Sequence, residues 1–150
     1  MEIEIRKMTH GDARLAAELE KECFSFPWSE DAILDELSNE NAAFFSAYVD
    51  GRFAGHAGMI TVLDEANVCN IAVSPDVRRN GVGRALTTAL INECKDRGVS
   101  VLMLEVRAGN DGAIQMYKSL GFEKVGLRRG FYSRPREDGL LFNYYIKKDI

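Results

Sequence analysis

Residues 70–86, with the sequence NIAVSPDVRRNGVGRAL, decide the fold predicted for this chain. A short β-branched strand, residues 71–73, runs into Pro75, and a basic, glycine-punctuated loop leads from there into a helix. Gly81 and Gly83 let the backbone approach a ligand closely, because neither residue carries a Cβ. The first N–H groups of the helix lack intrahelical partners and lie at the positive end of its dipole. The segment therefore predicts a site for a phosphate or pyrophosphate group.

The loop differs from the commoner nucleotide-binding motifs. Its residues follow the pattern R-x-x-G-x-G from Arg78, with further positive charge at Arg79 and Arg84. No Gly-Lys-Ser/Thr follows, which excludes the NTPase phosphate loop, and Leu86 occupies the position where a dinucleotide fingerprint needs its third glycine. The pattern alone leaves open a plain strand-to-helix turn with exposed arginines.

Composition is typical of a single globular domain spanning residues 1–150. The chain is 46% hydrophobic and 28% charged, values usual for soluble proteins. Apolar runs are too short for a membrane span and the first residues, MEIEIRKM, lack the apolar core of a signal peptide. We therefore expect a cytoplasmic protein without membrane contact. The net charge of −4 argues against a general affinity for nucleic acid.

The cysteines and histidines do not form a recognisable metal or catalytic motif. Cys23, Cys69 and Cys94 are widely spaced and lack C-x-x-C spacing, so we expect reduced cysteines that serve mainly in packing, and no zinc site. His10 and His56 are isolated, and no Ser–His–Asp or Cys–His triad can be assembled around them.

Hydrophobic periodicity and turn signals predict the order β α α β β β α β α β β. This order indicates a mixed α/β sheet whose parallel half begins at Ala66. Helices are expected to begin at Thr9 or His10, after Ser29, at Gly81 and at Asn110. The predicted strands are residues 2–8, 43–49, 52–61, 66–73, 99–106, 122–127 and 140–147.

Three polar residues could carry chemistry. Glu105 lies near the end of an apolar strand, where a carboxylate needs a partner or acquires a raised pKa, and a raised carboxyl can act as a general base. It could equally be a strand-end carboxylate paired with Arg107 or a neighbouring strand. Tyr117 has the spacing of a core residue, although its O–H could also donate a proton. Asn110 is explained as a helix N-cap.

Two segments place aromatic residues at helix or strand boundaries. Phe26, Pro27 and Trp28 could form a hydrophobic staple under a loop or the wall of a substrate groove. Phe131 and Tyr132 are interleaved with arginines, which raises the alternative of RNA binding, but the acidic net charge and the shortness of the patch disfavour it. The arginines concerned are Arg128, Arg129, Arg134 and Arg136.

Together these motifs resemble the GNAT acetyltransferase superfamily over essentially the whole chain, and more narrowly the RimI-type ribosomal-protein-alanine N-acetyltransferases. The resemblance rests on FPWS at 26–29, on residues 70–86, on LEVRAGNDGAIQMYKSLGF at 104–122 and on RRGFYSRPRED at 128–138. It implies that acetyl-CoA lies between two splayed parallel strands, residues 66–73 and 99–106. Two departures fall on the acceptor side: residues 128–138 are unusually rich in arginine, and Gly139 replaces a small apolar residue.

The resemblance also implies a role for each matching residue. Glu105 occupies the position of the family's base and Tyr117 that of its acid. The first residues of a peptide would be held by Phe26, Pro27, Trp28, Phe131 and Tyr132. Acetyl-CoA would be held by Ile71, Ala72, Val73, Arg78, Arg79, Asn80, Gly81, Val82, Gly83, Arg84 and Asn110.

The expected activity is therefore direct transfer of an acetyl group from acetyl-CoA to a protein N-terminus, without a metal or an acyl-cysteine. The resemblance names the N-terminal alanine of a small-subunit ribosomal protein as the acceptor. Acetylation of a small amine or a lysine side chain is the alternative. A non-catalytic acyl-CoA-binding module is a further one, which the presence of both Glu105 and Tyr117 disfavours.

Overall fold

The structure, a computed structural model, describes residues 1–133 and 135–147. Its strands are β1 Ile3–Lys7, β2 Ala42–Val49, β3 Arg52–Val62, β4 Glu65–Val73, β5 Val101–Arg107, β6 Glu123–Ser133 and β7 Arg136–Tyr145. Its helices are α1 Ala13–Cys23, α2 Glu30–Leu37, α3 Val82–Arg97 and α4 Asp111–Leu120. The strands form one mixed sheet in the order β1-β2-β3-β4-β5-β7-β6. This confirms the predicted fold class and element order.

Local turn and capping chemistry sets most boundaries as predicted. Asp50 and Gly51 both have positive φ, 50° and 82°, and join β2 to β3 in a tight hairpin. The side chain of Ser29 accepts a hydrogen bond from the first turn of α2. Gly98 and Gly121 adopt left-handed conformations that end α3 and α4.

The start of α1 differs from the prediction. A 3-10 turn, His10–Asp12, occupies the positions where the helix was expected to begin, and α1 starts at Ala13. The cause is Asp12, whose buried carboxylate accepts hydrogen bonds from the Thr9 N–H and from the hydroxyl groups of Ser46 and Tyr48 on β2. These bonds hold the pKa of Asp12 below its usual value, although burial acts in the opposite direction.

The last hairpin is longer than predicted. We expected strands at 122–127 and 140–147, whereas β6 continues to Ser133 and β7 begins at Arg136. A register shift between Arg128 and Tyr132 lets β6 continue past Gly130, which has a φ of 59°. The Gly130 N–H donates to Asp138 Oδ1 at 2.8 Å, which fixes this irregular segment.

The parallel strands at the centre of the sheet separate along their length. The pairing of β4 with β5 covers only Glu65, Ala66 and Asn67. Beyond Asn67, β4 stays paired with β3 while β5 stays paired with β7. A bulge at Cys69 marks the divergence, because Gly58 pairs with Asn70 and Met59 with Val68. A cleft therefore opens between the carboxyl ends of β4 and β5.

Hydrophobic side chains cover both faces of the sheet. The larger cluster lies where α3 and α4 pack, around Leu86, Leu90 and Phe142. The smaller one lies where α1 and α2 pack, around Ala16, Ile33 and Phe44. In the described part of the chain, no helix has both the length and the apolar character needed to cross a membrane.

The close approach of the Phe44 ring to Gly58 generates a stability prediction. A Cβ at position 58 would lie 2.3 Å from Phe44 Cε1, whereas a Cβ at Gly112 in α4 would meet no atom within 4 Å. We expect Gly58→Ala to lower the free energy of unfolding by about 1–3 kcal/mol through overpacking. Gly112→Ala, the matched control, should be neutral or stabilise by up to about 1 kcal/mol. Urea denaturation of both variants provides the measurement, and equal stabilities would contradict the packing argument.

Candidate active site

The edge of β4 that faces the cleft presents main-chain groups. The Ser74 N–H donates to Ala54 O on the β3 side at 2.7 Å. Because successive residues of a strand direct their N–H and C=O groups to opposite sides, Ile71 and Val73 direct theirs toward β5. No β5 residue pairs with either of them in the described chain. This edge can therefore accept an extended ligand as an added strand.

The loop after β4 shapes the N-terminus of α3. Gly81 has a φ of 88°, and a Cβ on it would meet no atom within 4 Å. Arg79 has a φ of 67°, and the Asn80 side chain donates to the carbonyl oxygens of Val77 and Arg78 at 3.1 Å. The first intrahelical acceptor is Gly81 O, so the N–H groups of Val82, Gly83 and Arg84 lack intrahelical acceptors. An anion such as a pyrophosphate fits these donors.

The loop arginines do not all face this helix terminus. Arg78 turns back toward β4, where its Nε donates to Val73 O at 3.1 Å and its Nη2 lies 3.4 Å from Cys23 Sγ. Arg84 donates to the Ser119 hydroxyl near the end of α4. Arg78 therefore contacts the end of β4 and Arg84 contacts α4, while the free N–H groups at the start of α3 remain available to an anion.

Glu105 on β5 is a largely buried carboxylate with few partners. Its side chain is 20% exposed, and Oε1 lies 3.8 Å from Arg128 Nε. Oε2 is buried and has no hydrogen-bond partner in the described chain. A Cβ at Gly139 would lie 2.5 Å from that oxygen, so the glycine leaves room for the carboxylate. Burial raises the pKa of Glu105, and the Arg128 guanidinium opposes the shift.

The predicted alternative partners of Glu105 were Arg107 or a residue of a neighbouring strand, and the structure pairs Arg107 elsewhere. Arg107 Nη1 lies 3.3 Å from Glu137 Oε1 and donates to Pro135 O at 2.9 Å. Its guanidinium stacks on the Tyr132 ring at 4.2 Å. Glu137 in turn accepts from the Gly109 N–H, and these contacts fasten the β6–β7 hairpin to the turn between β5 and α4.

Tyr117 on α4 is both a core residue and a titratable one. It is 7% exposed, and its ring packs against Phe122 and Phe142 at centroid distances of 5.5 and 6.5 Å. Burial raises its pKa to about 12, so the phenol keeps its proton at neutral pH. Asn110 caps this helix, its Oδ1 accepting from the Ala113 N–H at 3.2 Å, which confirms the capping role.

A pocket of about 340 Å³ opens on the side of the sheet where α1 packs. Five residues were predicted to bind the acceptor peptide. Phe26 and Tyr132 line this pocket, whereas Pro27, Trp28 and Phe131 are not among its lining residues. The Trp28 ring packs instead against Phe44 in the smaller core cluster. The residues lining the pocket are Cys23, Phe24, Ser25, Phe26, Asn70, Arg107, Tyr132 and Pro135.

Sequence reasoning missed several of these residues. Asn70 and Arg107 lie inside the quoted motifs but were not assigned to the pocket, and Cys23 was assigned only to packing. The available signal was their position, since Asn70 begins the motif strand and Arg107 follows Glu105 by two residues on the same strand face. Arg134, part of the predicted arginine cluster, lies outside the described residues. Among those described, no group of three or more His, Cys, Asp or Glu side chains could hold a metal.

Comparison with known proteins identifies what this chain is similar to. Residues 14–122 match the profile of the Acetyltransferase (GNAT) family. The ribosomal protein bS18-alanine N-acetyltransferase of Escherichia coli K12 is 44% identical over 130 residues, covering 85% of this chain and 84% of that protein. The N-alpha-acetyltransferase RimI of Mycobacterium tuberculosis H37Rv is 35% identical, covering 98% and 92%. The crystal structure of the Escherichia coli ribosomal-protein-S18-alanine N-acetyltransferase matches with a TM-score of 0.88 and 38% identity, over 99% of this chain and 97% of that one.

The raised pKa of Glu105 predicts how stability depends on pH. The folded state binds this carboxyl proton more tightly than the unfolded chain, so the associated stability is present below the unfolded pKa and lost as the pH rises through the folded pKa. The glutamine side chain of the Glu105→Gln variant cannot ionise, so this variant does not lose that stability as the pH rises. We expect its free energy of unfolding, relative to the wild type, to increase between about pH 4 and about pH 8.

Urea denaturation across that pH range tests this expectation, with the exposed Glu22→Gln on α1 as the control for removing a surface carboxylate. A relative stability of Glu105→Gln that stays constant or decreases with pH would show that burial does not shift this carboxyl.

Proposed function

The chain belongs to the GNAT acetyltransferase family, and we propose that it transfers the acetyl group of acetyl-CoA to the N-terminal alanine of ribosomal protein bS18. The family assignment makes it an acetyl-CoA-dependent N-acetyltransferase. The bS18 acceptor rests on the names of relatives such as the Escherichia coli enzyme. We place the reaction in the cytoplasm and expect no direct contact with nucleic acid, in keeping with the net charge of −4.

The observation that carries the proposal is the buried Oε2 of Glu105, which has no hydrogen-bond partner among the residues that the structure describes. A carboxylate oxygen without a donor retains its full capacity to accept a proton. Its raised pKa brings it nearer to neutrality and makes it a stronger base than an exposed glutamate. Glu105 is therefore proposed to take the proton from the attacking amine, either directly or through one water.

Acetyl-CoA is proposed to bind along the free edge of β4. The main-chain groups of Ile71 would pair with the pantetheine arm, and the Val73 N–H would polarise the acetyl carbonyl, while Val73 O keeps its hydrogen bond from Arg78. The N–H groups at the start of α3, with Arg79 and Arg84 nearby, would hold the pyrophosphate. The remaining predicted contacts are Ala72, Arg78, Asn80, Gly81, Val82, Gly83 and Asn110.

A single carboxylate base favours an α-amine over a lysine side chain as the acceptor. The pKa of an α-amino group is about 7.7–8.0 and that of a lysine side chain about 10.4. At pH 7, forming the neutral amine costs about 1 kcal/mol for the former and over about 4 kcal/mol for the latter, at roughly 1.36 kcal/mol per pKa unit. Nothing in the reaction requires an acyl-enzyme, so the amine attacks the thioester directly in a ternary complex.

Tyr117 is proposed to assist departure of the CoA thiolate. Attack of the amine forms a C–N bond and a tetrahedral adduct, whose collapse breaks the C–S bond and leaves the electron pair on sulfur. The buried phenol, protonated at neutral pH, can donate its hydrogen to that sulfur. The phenol of Tyr117, which packs in the larger core cluster on the α4 side of the sheet, is proposed to lie beside the thioester sulfur.

The first test compares acceptor peptides. We expect turnover of peptides that begin with Ala or Ser and slower turnover of those with bulky first residues, since Phe26 and Tyr132 border a small pocket. Blocking the N-terminus while leaving an internal lysine free should abolish turnover, as measured by release of CoA thiol. Equal acetylation of the blocked and free peptides, or preferential use of spermidine, would contradict the N-terminal acceptor.

The second test separates the two proposed catalytic groups. Glu105→Gln should lower kcat by about 10²–10⁴-fold, the range typical of general base catalysis, and remove the acidic limb of the pH–rate profile. Tyr117→Phe keeps the ring packing and should lower kcat while leaving the affinity for acetyl-CoA unchanged. Full activity of Tyr117→Phe would show that Tyr117 serves only in core packing.

A further inference from the structure

Asn70 faces the pocket lined by Phe26 and Tyr132 because of the bulge in β4. The bulge at Cys69 interrupts the alternation of side chains: Cys69 packs in the smaller core cluster, and Asn70, the next residue, contacts Glu20 of α1. Val68 and Ile71, on either side of this pair, pack against the larger cluster on the other face of the sheet. Asn70 thereby becomes one of the residues that line the pocket.

The orientation of the Asn70 amide is fixed by a buried carboxylate. Glu20 is completely buried, and its Oε1 accepts hydrogen bonds from Asn70 Nδ2 at 2.8 Å and from the Trp28 N–H at 3.0 Å. Its Oε2 lies 3.0 Å from His56 Nε2, without regular hydrogen-bond geometry. A carboxylate of this kind accepts hydrogen bonds and donates none, so it selects the amino side of the Asn70 amide. The carbonyl oxygen, Oδ1, must then point away from Glu20.

No donor within the described residues satisfies Asn70 Oδ1, and this oxygen is not among the buried atoms that lack a partner. It is therefore an accessible acceptor on a pocket-lining residue. The pocket is also lined by Tyr132 and by Arg107, which lies two residues from Glu105 on the same face of β5. An amine that enters the pocket thus meets a neutral acceptor, and the proposed base lies on β5, two residues from the pocket-lining Arg107.

We propose that Asn70 binds the acceptor, its Oδ1 accepting a hydrogen bond from the N-terminal amine and its orientation being set by Glu20. This deepens the proposed N-terminal acetylation and rests on it. The bond would hold the amine nitrogen in the cleft while Glu105 takes its proton, and its lone pair would remain free to attack the thioester. Neither bond formation nor proton transfer occurs at Asn70, which acts in binding and positioning.

A binding cycle between Asn70 and the acceptor amine tests the proposal. The probes are a short peptide that begins with alanine and the same peptide with a propionyl group in place of the alanyl residue, which lacks only the amine. Calorimetric affinities are measured for both peptides, in the presence of CoA, with the wild type, Asn70→Ala and the exposed Asn92→Ala control on α3.

We expect Asn70→Ala to weaken the alanyl peptide about tenfold, the effect of losing one hydrogen bond to a charged group. The same substitution should change propionyl-peptide affinity by less than about twofold, because the amine is absent. The affinity for acetyl-CoA should be unchanged, and Asn92→Ala should match the wild type. Asn70→Ser, which also lacks the amide oxygen, is the second variant if Asn70→Ala does not fold.

A separate variant tests whether Glu20 sets the orientation of the Asn70 amide. Glu20→Gln keeps the side-chain shape but places a donor in the network, so that the Asn70 amide can turn over. We expect Glu20→Gln to weaken binding of the alanyl peptide and to leave binding of the propionyl peptide unaffected, the same pattern as expected for Asn70→Ala. Loss of both peptides to the same degree would instead show that Glu20 and Asn70 only shape the pocket.

The outcomes distinguish this inference from the function on which it rests. Suppose that the wild type acetylates the alanyl peptide. If Asn70→Ala then binds that peptide normally, or loses affinity for both peptides equally, the role of Asn70 is overturned and the proposed function stands. A wild type that neither binds nor acetylates the alanyl peptide would overturn both.

Discussion

Beyond Asn67, β4 has no strand beside it on the β5 side in the described chain, and the peptide groups of Ile71 and Val73 face a cleft. Everything at the site depends on this separation. Buried main-chain donors and acceptors need partners, so the open edge is suited to a ligand with amide groups of its own. Tyr117 packs on the α4 side of the sheet, whereas Asn70 contacts Glu20 of α1 on the other side, so the two residues lie on opposite faces of the sheet.

Two buried glutamates in this molecule illustrate how partners determine the use of a carboxylate. Glu20 has hydrogen bonds from Trp28 and Asn70 and a contact with His56, and it fixes the structure around it. Among the described residues, Glu105 has one distant arginine, Arg128 at 3.8 Å, and one oxygen without a donor. Burial without compensation destabilises the charged form, and it is this cost that makes Glu105 receptive to a proton. The two carboxylates thus differ in their surroundings alone.

Local chemistry could be read from the sequence, whereas strand register could not. The turn at Asp50 and Gly51 and the cap at Ser29 depend on residues adjacent in the chain, and both were predicted. The partner of Glu105 depends on how β6 and β7 align with β5, a long-range property, and Arg128 rather than Arg107 proved to be near it. Trp28 and Phe26 are two residues apart, yet one anchors the core and the other lines the pocket. Glu20 could have been noticed, since it continues the buried face of α1 formed by Ala13, Ala16 and Ala17.

The position of β7 between β5 and β6 has a consequence for the protein's own synthesis. The ribosome makes the cofactor loop and β5 well before β7, yet β7 is the strand that pairs with β5. A nascent chain can therefore form the N-terminus of α3 first, while Glu105 still faces water at the position that Gly139 later occupies. The Glu105 carboxylate acquires its buried environment only when β7 pairs with β5, so the raised pKa of this group depends on the last of the described strands.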